Sequence, residues 1–266
     1  MKIKSLHFYP VKGLRGIDLS EMQMTLLGPA YDREWIVATP EGKFVTQRTH
    51  PQMAQIQTAI MGESLKLSVN GSSIQIPFDE PDKNAYTEVT VFTSKINGLD
   101  QGREASQWLS DFFGETVKLF KYSEQSKRFV PEKYTGRADV ETRFTDSRPI
   151  LVVSVESLLE LNRELSEPIP INRFRANIVL EGGIAWGEDT YSALDLGVVR
   201  INNAGPCSRC KVTTVDQQKG VVTGPEPLGT LSRIRKKDGK VYFGCYYYPT
   251  AEGKIRVGDT VRVLDT

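Results

Sequence analysis

Asn203-Ala204-Gly205-Pro206-Cys207-Ser208-Arg209-Cys210-Lys211-Val212-Thr213-Thr214-Val215-Asp216 carries two of the chain's three cysteines, an arginine between them and a Gly-Pro turn ahead of them. Lys211 to Val215 is rich in β-branched residues and reads as a strand, so the thiol pair is expected on a tight turn at a strand head. Working outward, Val198 to Asn202 reads as a strand that feeds the turn. Glu226 to Arg235 reads as a short helix starting at Pro227. Val241 to Tyr248 is an aromatic, strand-like run that holds the third cysteine, Cys245. Lys254 to Leu264 reads as two short strands around Gly258-Asp259.

The earlier chain has the same character. Lys2 to Tyr9 alternates as a strand and ends in Tyr9-Pro10-Val11-Lys12-Gly13-Leu14-Arg15-Gly16, a basic, glycine-containing turn where backbone and Lys12 can approach a phosphate. Leu27 to Ala38 reads as a turn running into a buried strand, with Arg33 between Asp32 and Glu34. Phe44 to Arg48 is expected as the next strand. Leu65 to Val69 and Ile74 to Phe78 flank Asn70-Gly71, a hairpin signal. Thr87 to Phe92 reads as another strand. Arg103 to Phe113 is the first clear helix, with Trp108, Leu109, Phe112 and Phe113 close to one face and Gly114 placed to end it. After a strand at Thr116 to Tyr122, the polar run Ser123 to Arg143 reads as a surface connection. It sets the expected division at residues 1–122 and 123–266. Ile150 to Val153 is a buried strand. Ser154 caps the following helix, in which Leu158, Leu161 and Leu165 share a face. Many short strands and few helices predict a mainly β fold with helical decoration, barrel-like in part.

Composition narrows the chemistry. The formal net charge is +1 over 266 residues, which gives no global field for nucleic acid or an anionic membrane. No apolar run reaches the roughly 20 residues that cross a bilayer. Met1 to Leu6 is already strand-like, and the protein is expected to be cytoplasmic. With three cysteines, a disulfide scaffold is not expected. The two histidines, His7 and His50, are too few for a His-rich zinc site, and no Gly-x-Ser-x-Gly elbow is present.

Four readings of Cys207 and Cys210 remain open from the residues alone. Half of a zinc knuckle needs two further ligands. A redox pair of thioredoxin type needs a helix after the motif. Two buried structural cysteines need nothing more. A single thiolate on a soft transition metal needs neighbours that hold a cofactor. Arg33, Arg175, Arg209 and Lys12 each lie at a strand end or turn, and such a set suits a phosphorylated, hydrogen-bond-rich ligand. No Gly-x-Gly-x-x-Gly and no Walker loop argues for a nucleotide.

Across nearly its whole length the chain resembles the MOSC family. The resemblance is closest to the branch that joins an N-terminal MOSC-associated β-barrel domain to a MOSC domain. It rests on Tyr9-Pro10-Val11-Lys12, Asp32-Arg33 with Trp35, Thr46-Gln47-Arg48, Asn172 to Asn177, Glu188-Asp189, Cys207 to Asp216, Glu226-Pro227-Leu228 and Val257-Gly258-Asp259. That branch includes the mitochondrial amidoxime-reducing component and bacterial proteins that detoxify N-hydroxylated bases. The resemblance implies an oxidoreductase in which Cys210 is the thiolate on molybdenum. It implies that Lys12, Arg33, Ser147, Arg175, Asn177, Ser208 and Arg209 hold the pterin of the molybdenum cofactor (Mo-molybdopterin). Asp146 or Glu188 would relay protons. Electrons would come from a separate donor of ferredoxin, flavodoxin or reductase type. The competing expectation is a carrier that binds the cofactor, or persulfide sulfur on Cys210, without turnover.

Overall fold

The strand Glu21–Thr25 alternates exposed and buried side chains, with Met22 and Met24 inside, whereas Ile150–Ser154 is buried along its whole length. The first pattern belongs to a sheet wet on one face, the second to a strand covered on both. The computed structural model describes residues 1–78 and 86–264 and realises both. It is mainly β, with three α-helices among the described residues.

A nine-stranded sheet dominates the second half. Its order is Arg262–Leu264, Ala193–Asp195, Arg200–Ser208, Lys240–Pro249, Ile150–Ser154, Ile178–Glu181, Lys2–Phe8 and Ile17–Leu19, with Lys236–Lys237 pairing off the path onto Lys240–Pro249. Pairing is antiparallel except between Ile150–Ser154 and Ile178–Glu181. Those two are joined through the helix α2 (Val155–Arg163), the crossover that parallel strands require. Ser154 Oγ accepts the Ser157 amide and caps α2 as expected. The expected division at 122/123 follows the strand Lys118–Tyr122, and the nine-stranded sheet draws strands from both sides of it.

The second sheet has the order Tyr86–Val91, Ser94–Asp100, Lys118–Tyr122, Trp35–Ala38 and Val11–Lys12. Helix α1 (Arg103–Phe113) ends at Gly114, which is left-handed at φ 71°. With the meander Gln57–Ile60, Ser64–Val69 and Ser72–Pro77, it covers a core around Trp35, Leu65, Leu109 and Leu119. Trp35 is fully buried, and its Nε1–H donates to Gln101 Oε1 at 3.1 Å. A separate core of Leu6, Met24, Val152, Ile178, Ile201 and Tyr247 lies beneath the large sheet.

Two sequence expectations fail locally. Lys211–Thr214 is a 3₁₀ turn, not a strand. Its threonines bond locally instead of joining a ladder: Thr213 Oγ1 donates to the Cys210 carbonyl at 3.0 Å, and Thr214 Oγ1 to the Lys211 carbonyl at 2.8 Å. The thiol pair therefore sits at the end of one strand, Arg200–Ser208, rather than at the head of another. Phe44 to Arg48 also forms no strand. Only Phe44 bridges Ala38, and the Thr46 carbonyl then accepts from the Thr49 and His50 amides in a turn.

Candidate functional site

Lys12 reaches the crevice between the two large sheets from the short strand Val11–Lys12, which runs parallel to Trp35–Ala38. Gly13 follows with a left-handed backbone at φ +89°, a conformation that favours glycine. Lys12 is only 7% exposed and pairs with Asp146. Burial lowers its pKa to about 8 even though Asp146 opposes the shift.

Two arginines meet the same aromatic ring. Arg33 and Arg175 both have left-handed backbones, at φ 48° and 54°. Their guanidinium carbons lie 4.2 and 4.3 Å from the Tyr9 ring centroid. Arg33 is held by two bonds to Asp32, at 2.7 and 2.6 Å, and donates to the Arg175 carbonyl at 3.0 Å. Burial works against its charge, but Asp32 outweighs it and raises the pKa. Arg175 has no such carboxylate. It donates once, to Gln217 Oε1 at 3.1 Å, and its Nη2 is buried without a partner. Burial lowers its pKa to about 10. Backbone strain of this kind, repeated around one ring, is characteristic of sites that position ligands.

The cysteine stretch closes the crevice. Arg209 Nη1 donates to Cys207 Sγ at 2.8 Å and Nη2 to the Phe174 carbonyl at 2.7 Å, while its Nε is buried without a partner. Cys207 is buried and Cys210 half-buried. Cys245 is buried elsewhere in the sheet; its thiol donates to Asp189 at 3.5 Å, and burial with Asp189 pushes its pKa up. Among the described residues no cluster of three or more His, Cys, Asp or Glu stands ready for a metal, so no ligand set supports the zinc-knuckle reading. The single 3₁₀ turn after Cys210 does not supply the helix that a thioredoxin-type pair uses.

Lys12, Arg33, Arg175, Asn177, Ser208, Arg209 and Cys210 all line one cleft, of about 850 Å³ counted out to its open mouth. Ser147 lies in an adjoining outer hollow, which shares Asp146, Ser208, Arg209 and Cys210 with that cleft. Asn177 lines the cleft with an amide already engaged. Its Oδ1 accepts from the Leu151 amide at 3.1 Å, and its Nδ2 donates to the His7 carbonyl at 3.2 Å. Asp146 is 53% exposed in its side chain and faces both cavities. Crowding at the crevice mouth partly desolvates its carboxyl and disfavours the charge, but Lys12, Arg48 and Arg33 outweigh this and hold it well below the usual carboxylate range. It is therefore ionised at neutral pH and a poor proton donor. Glu188 lines neither cavity. It lies buried at the start of α2, accepting from Ser154 Oγ at 2.9 Å and Ser157 Oγ at 2.8 Å. The relay expected of it has no geometric basis, because its neighbours belong to a helix cap.

Sequence reading did not single out Gln217 or Tyr246 in this site. Gln217 joins Arg175 to Gln47, whose Nε2 donates to its Oε1 at 3.2 Å. Both side chains are neutral and carry no motif of their own. Arg48, from the Thr46-Gln47-Arg48 motif, also lines both cavities.

Comparison with known proteins agrees with this architecture. Residues 1–116 match the MOSC N-terminal beta barrel domain and residues 139–262 match the MOSC domain. Mitochondrial amidoxime-reducing component 1 of Xenopus laevis is 36% identical over 282 residues, covering 97% of this chain and 81% of its own. The Homo sapiens protein of the same name is 32% identical over 278 residues, with 98% and 82% covered. Molybdenum cofactor sulfurase of Oryza sativa subsp. japonica is 30% identical over 263 residues, covering 91% of this chain and 32% of that longer protein.

Proposed function

The chain belongs to the MOSC family, with a MOSC N-terminal beta barrel domain followed by a MOSC domain, and from that premise we propose that it is a molybdenum-cofactor-dependent reductase of N-hydroxylated compounds. The observation that carries this reading is the convergence at one cleft of a half-buried thiol, Cys210, with Lys12, Arg33, Arg175 and Arg209.

The residues fit such a group. Arg175 Nη2 and Arg209 Nε are buried donors without protein acceptors, an arrangement that asks for acceptors from outside. Cys210 Sγ is a soft donor suited to molybdenum. Lys12, Ser147, Ser208, Arg175 and Arg209 would hold the pterin and its phosphate. Arg33, paired with Asp32, and Asn177, bonded to backbone on two sides, would act by fixing the positions of Arg175 and the strands beneath. When bound, the molybdenum centre would supply two-electron oxygen-atom exchange with the substrate.

The overall conversion turns an N-hydroxyl into N–H and water, consuming two electrons and two protons. Lys12 Nζ, with a pKa near 8, holds a proton at neutral pH, and Asp146 keeps that ammonium in place. Cys207 and Cys245 are buried, which leaves no cysteine set for an iron–sulfur cluster within these 266 residues. Electrons would therefore come from a ferredoxin-, flavodoxin- or reductase-type centre outside them.

The test is molybdenum and pterin content of wild type and Cys210→Ala made in a cofactor-competent host, followed by benzamidoxime reduction with a chemical reductant. Near-stoichiometric metal and turnover in wild type, both lost in the variant, is the expected result. Absence of metal and pterin from repeated wild-type preparations would sink the proposal. A second reading, a carrier of cofactor or persulfide sulfur, draws on the half-exposed Cys210 and the similarity to the rice sulfurase. Mass spectrometry that finds a persulfide on Cys210 in protein without turnover would favour it.

A further inference from the structure

Arg148 is only 8% exposed, yet it forms no ion pair among the described residues. Its guanidinium carbon lies 3.8 Å from the Tyr134 ring centroid and 4.9 Å from that of Tyr246. Its Nε is buried without a partner, and burial lowers its pKa. Of the other cations around Cys210, Arg33 has Asp32 and Lys12 has Asp146, whereas Arg209 has only the Cys207 sulfur and Arg175, like Arg148, has no carboxylate partner. A buried cation without a counter-ion is costly unless something from outside supplies the negative charge.

Arg148 also stands where a substrate would enter. It lines both the inner cleft and the outer hollow of about 1100 Å³, counted out to its open mouth, as does Cys210. The hollow is walled by Phe92, Tyr134, Tyr242 and Tyr246. Arg48 and Lys240 add positive charge at its edge, and Arg48 lies 5.0 Å from the Phe92 ring centroid. Its one carboxylate, Asp146, is engaged by Lys12. Aromatic walls favour a flat molecule, and an unpaired guanidinium held rigidly between two rings favours a carboxylate or phosphate.

We infer that Arg148 is the specificity-determining residue of the outer hollow, and that the preferred substrates are flat N-hydroxylated compounds bearing a carboxylate or phosphate. The substrate class rests on the reductase reading above; the anion site does not. The same guanidinium chemistry would also suit the cofactor's own phosphate, and the experiment separates the two.

Metal-loaded wild type, Arg148→Gln and Arg148→Lys would be compared on benzamidoxime and 4-carboxybenzamidoxime with a chemical reductant. Molybdenum and pterin content would be measured in each preparation. Wild type is expected to favour the carboxylated substrate in kcat/KM by about tenfold or more, mainly through KM. Arg148→Gln brings that ratio close to one, and Arg148→Lys, which keeps charge but not the planar fork, falls between. No ion pair is broken by Arg148→Gln, so the variant is expected to fold. An unchanged ratio overturns the inference. So does a fall in molybdenum and pterin content in Arg148→Gln, which would assign Arg148 to the cofactor. If loaded wild type reduces neither compound, calorimetric binding of 4-carboxybenzamidoxime decides the matter. Affinity about tenfold weaker in Arg148→Gln keeps the anion site while the reductase reading falls, and equal affinity removes both.

Discussion

Replacing Arg175 by methionine should make the cofactor-free protein more stable while making it worse at keeping a cofactor. Arg175 is 8% exposed and lacks a carboxylate partner of its own, and burial takes its pKa from the ordinary 12.5 to about 10. At about 1.36 kcal/mol per pH unit, holding this charge costs the fold about 3 kcal/mol. Against that stands one hydrogen bond to Gln217, worth about 1 kcal/mol, and a stacking contact on Tyr9 worth about 1 kcal/mol, part of which methionine retains. Gln217 is not orphaned, because Gln47 also donates to its Oε1. The balance is a gain of about 1 kcal/mol, or a rise in Tm of about 2–4 °C for a chain of this size. The direction with pH follows from a folded value below the unfolded one. The charged form is the one the fold disfavours, so the penalty is complete at neutral pH and is relieved only as pH climbs through about 10 toward 12.5. The Tm difference should therefore be constant from pH 6 to 9. Thermal melts of cofactor-free wild type and Arg175→Met measure it, and molybdenum content of loaded preparations should fall in the variant. A Tm lowered by more than about 4 °C would show Arg175 to be a structural contact and refute the reasoning.

Lys12, with its pKa near 8, should make the affinity of cofactor-free protein for inorganic phosphate fall as pH rises from about 7 to 9. Isothermal titration of wild type and Lys12→Met should show a slope in the first and a flatter line in the second; parallel lines would place phosphate elsewhere. Gly244 sits inside the strand Lys240–Pro249 at φ +71°, and a Cβ would lie 2.6 Å from Val153 Cγ1 and 2.7 Å from the Val152 carbonyl oxygen. Gly244→Ala should cost about 2 kcal/mol or more in urea denaturation, since both the backbone and the neighbouring strand resist. A loss under about 0.5 kcal/mol would mean that the sheet yields easily there.

Local chemistry made several elements legible in the sequence. Ser154 ahead of Leu158 and Leu161, Gly114 after a helical apolar face, and Asn70-Gly71 between alternating runs each specify a structure through contacts a few residues away. Lys211–Thr214 was illegible for a related reason. Its threonines have two satisfactory bonding schemes, and β-branching alone does not reveal that the hydroxyls turn back onto Cys210 and Lys211. The cations of the cleft could be named but not assembled. Lys12 meets Asp146, and Arg33 meets Arg175, across more than a hundred residues of chain. Glu188 shows the converse: the resemblance implied a proton relay there, and its carboxylate instead serves a helix cap.

The place of Lys2–Phe8 in the nine-stranded sheet has a consequence for biosynthesis. This strand is translated well before its register partner Ile178–Glu181, which follows on the order of 180 residues later. Lys12 and Arg33 are thus translated long before Cys210, and the crevice between the sheets cannot close until most of the chain has emerged. A nascent or truncated polypeptide that stops before the Ile178–Glu181 strand leaves the backbone of Lys2–Phe8 unpaired on that side, an edge open to chaperones or to aggregation. Whatever the crevice holds can be captured only after the Cys210 and Tyr246 stretches have emerged.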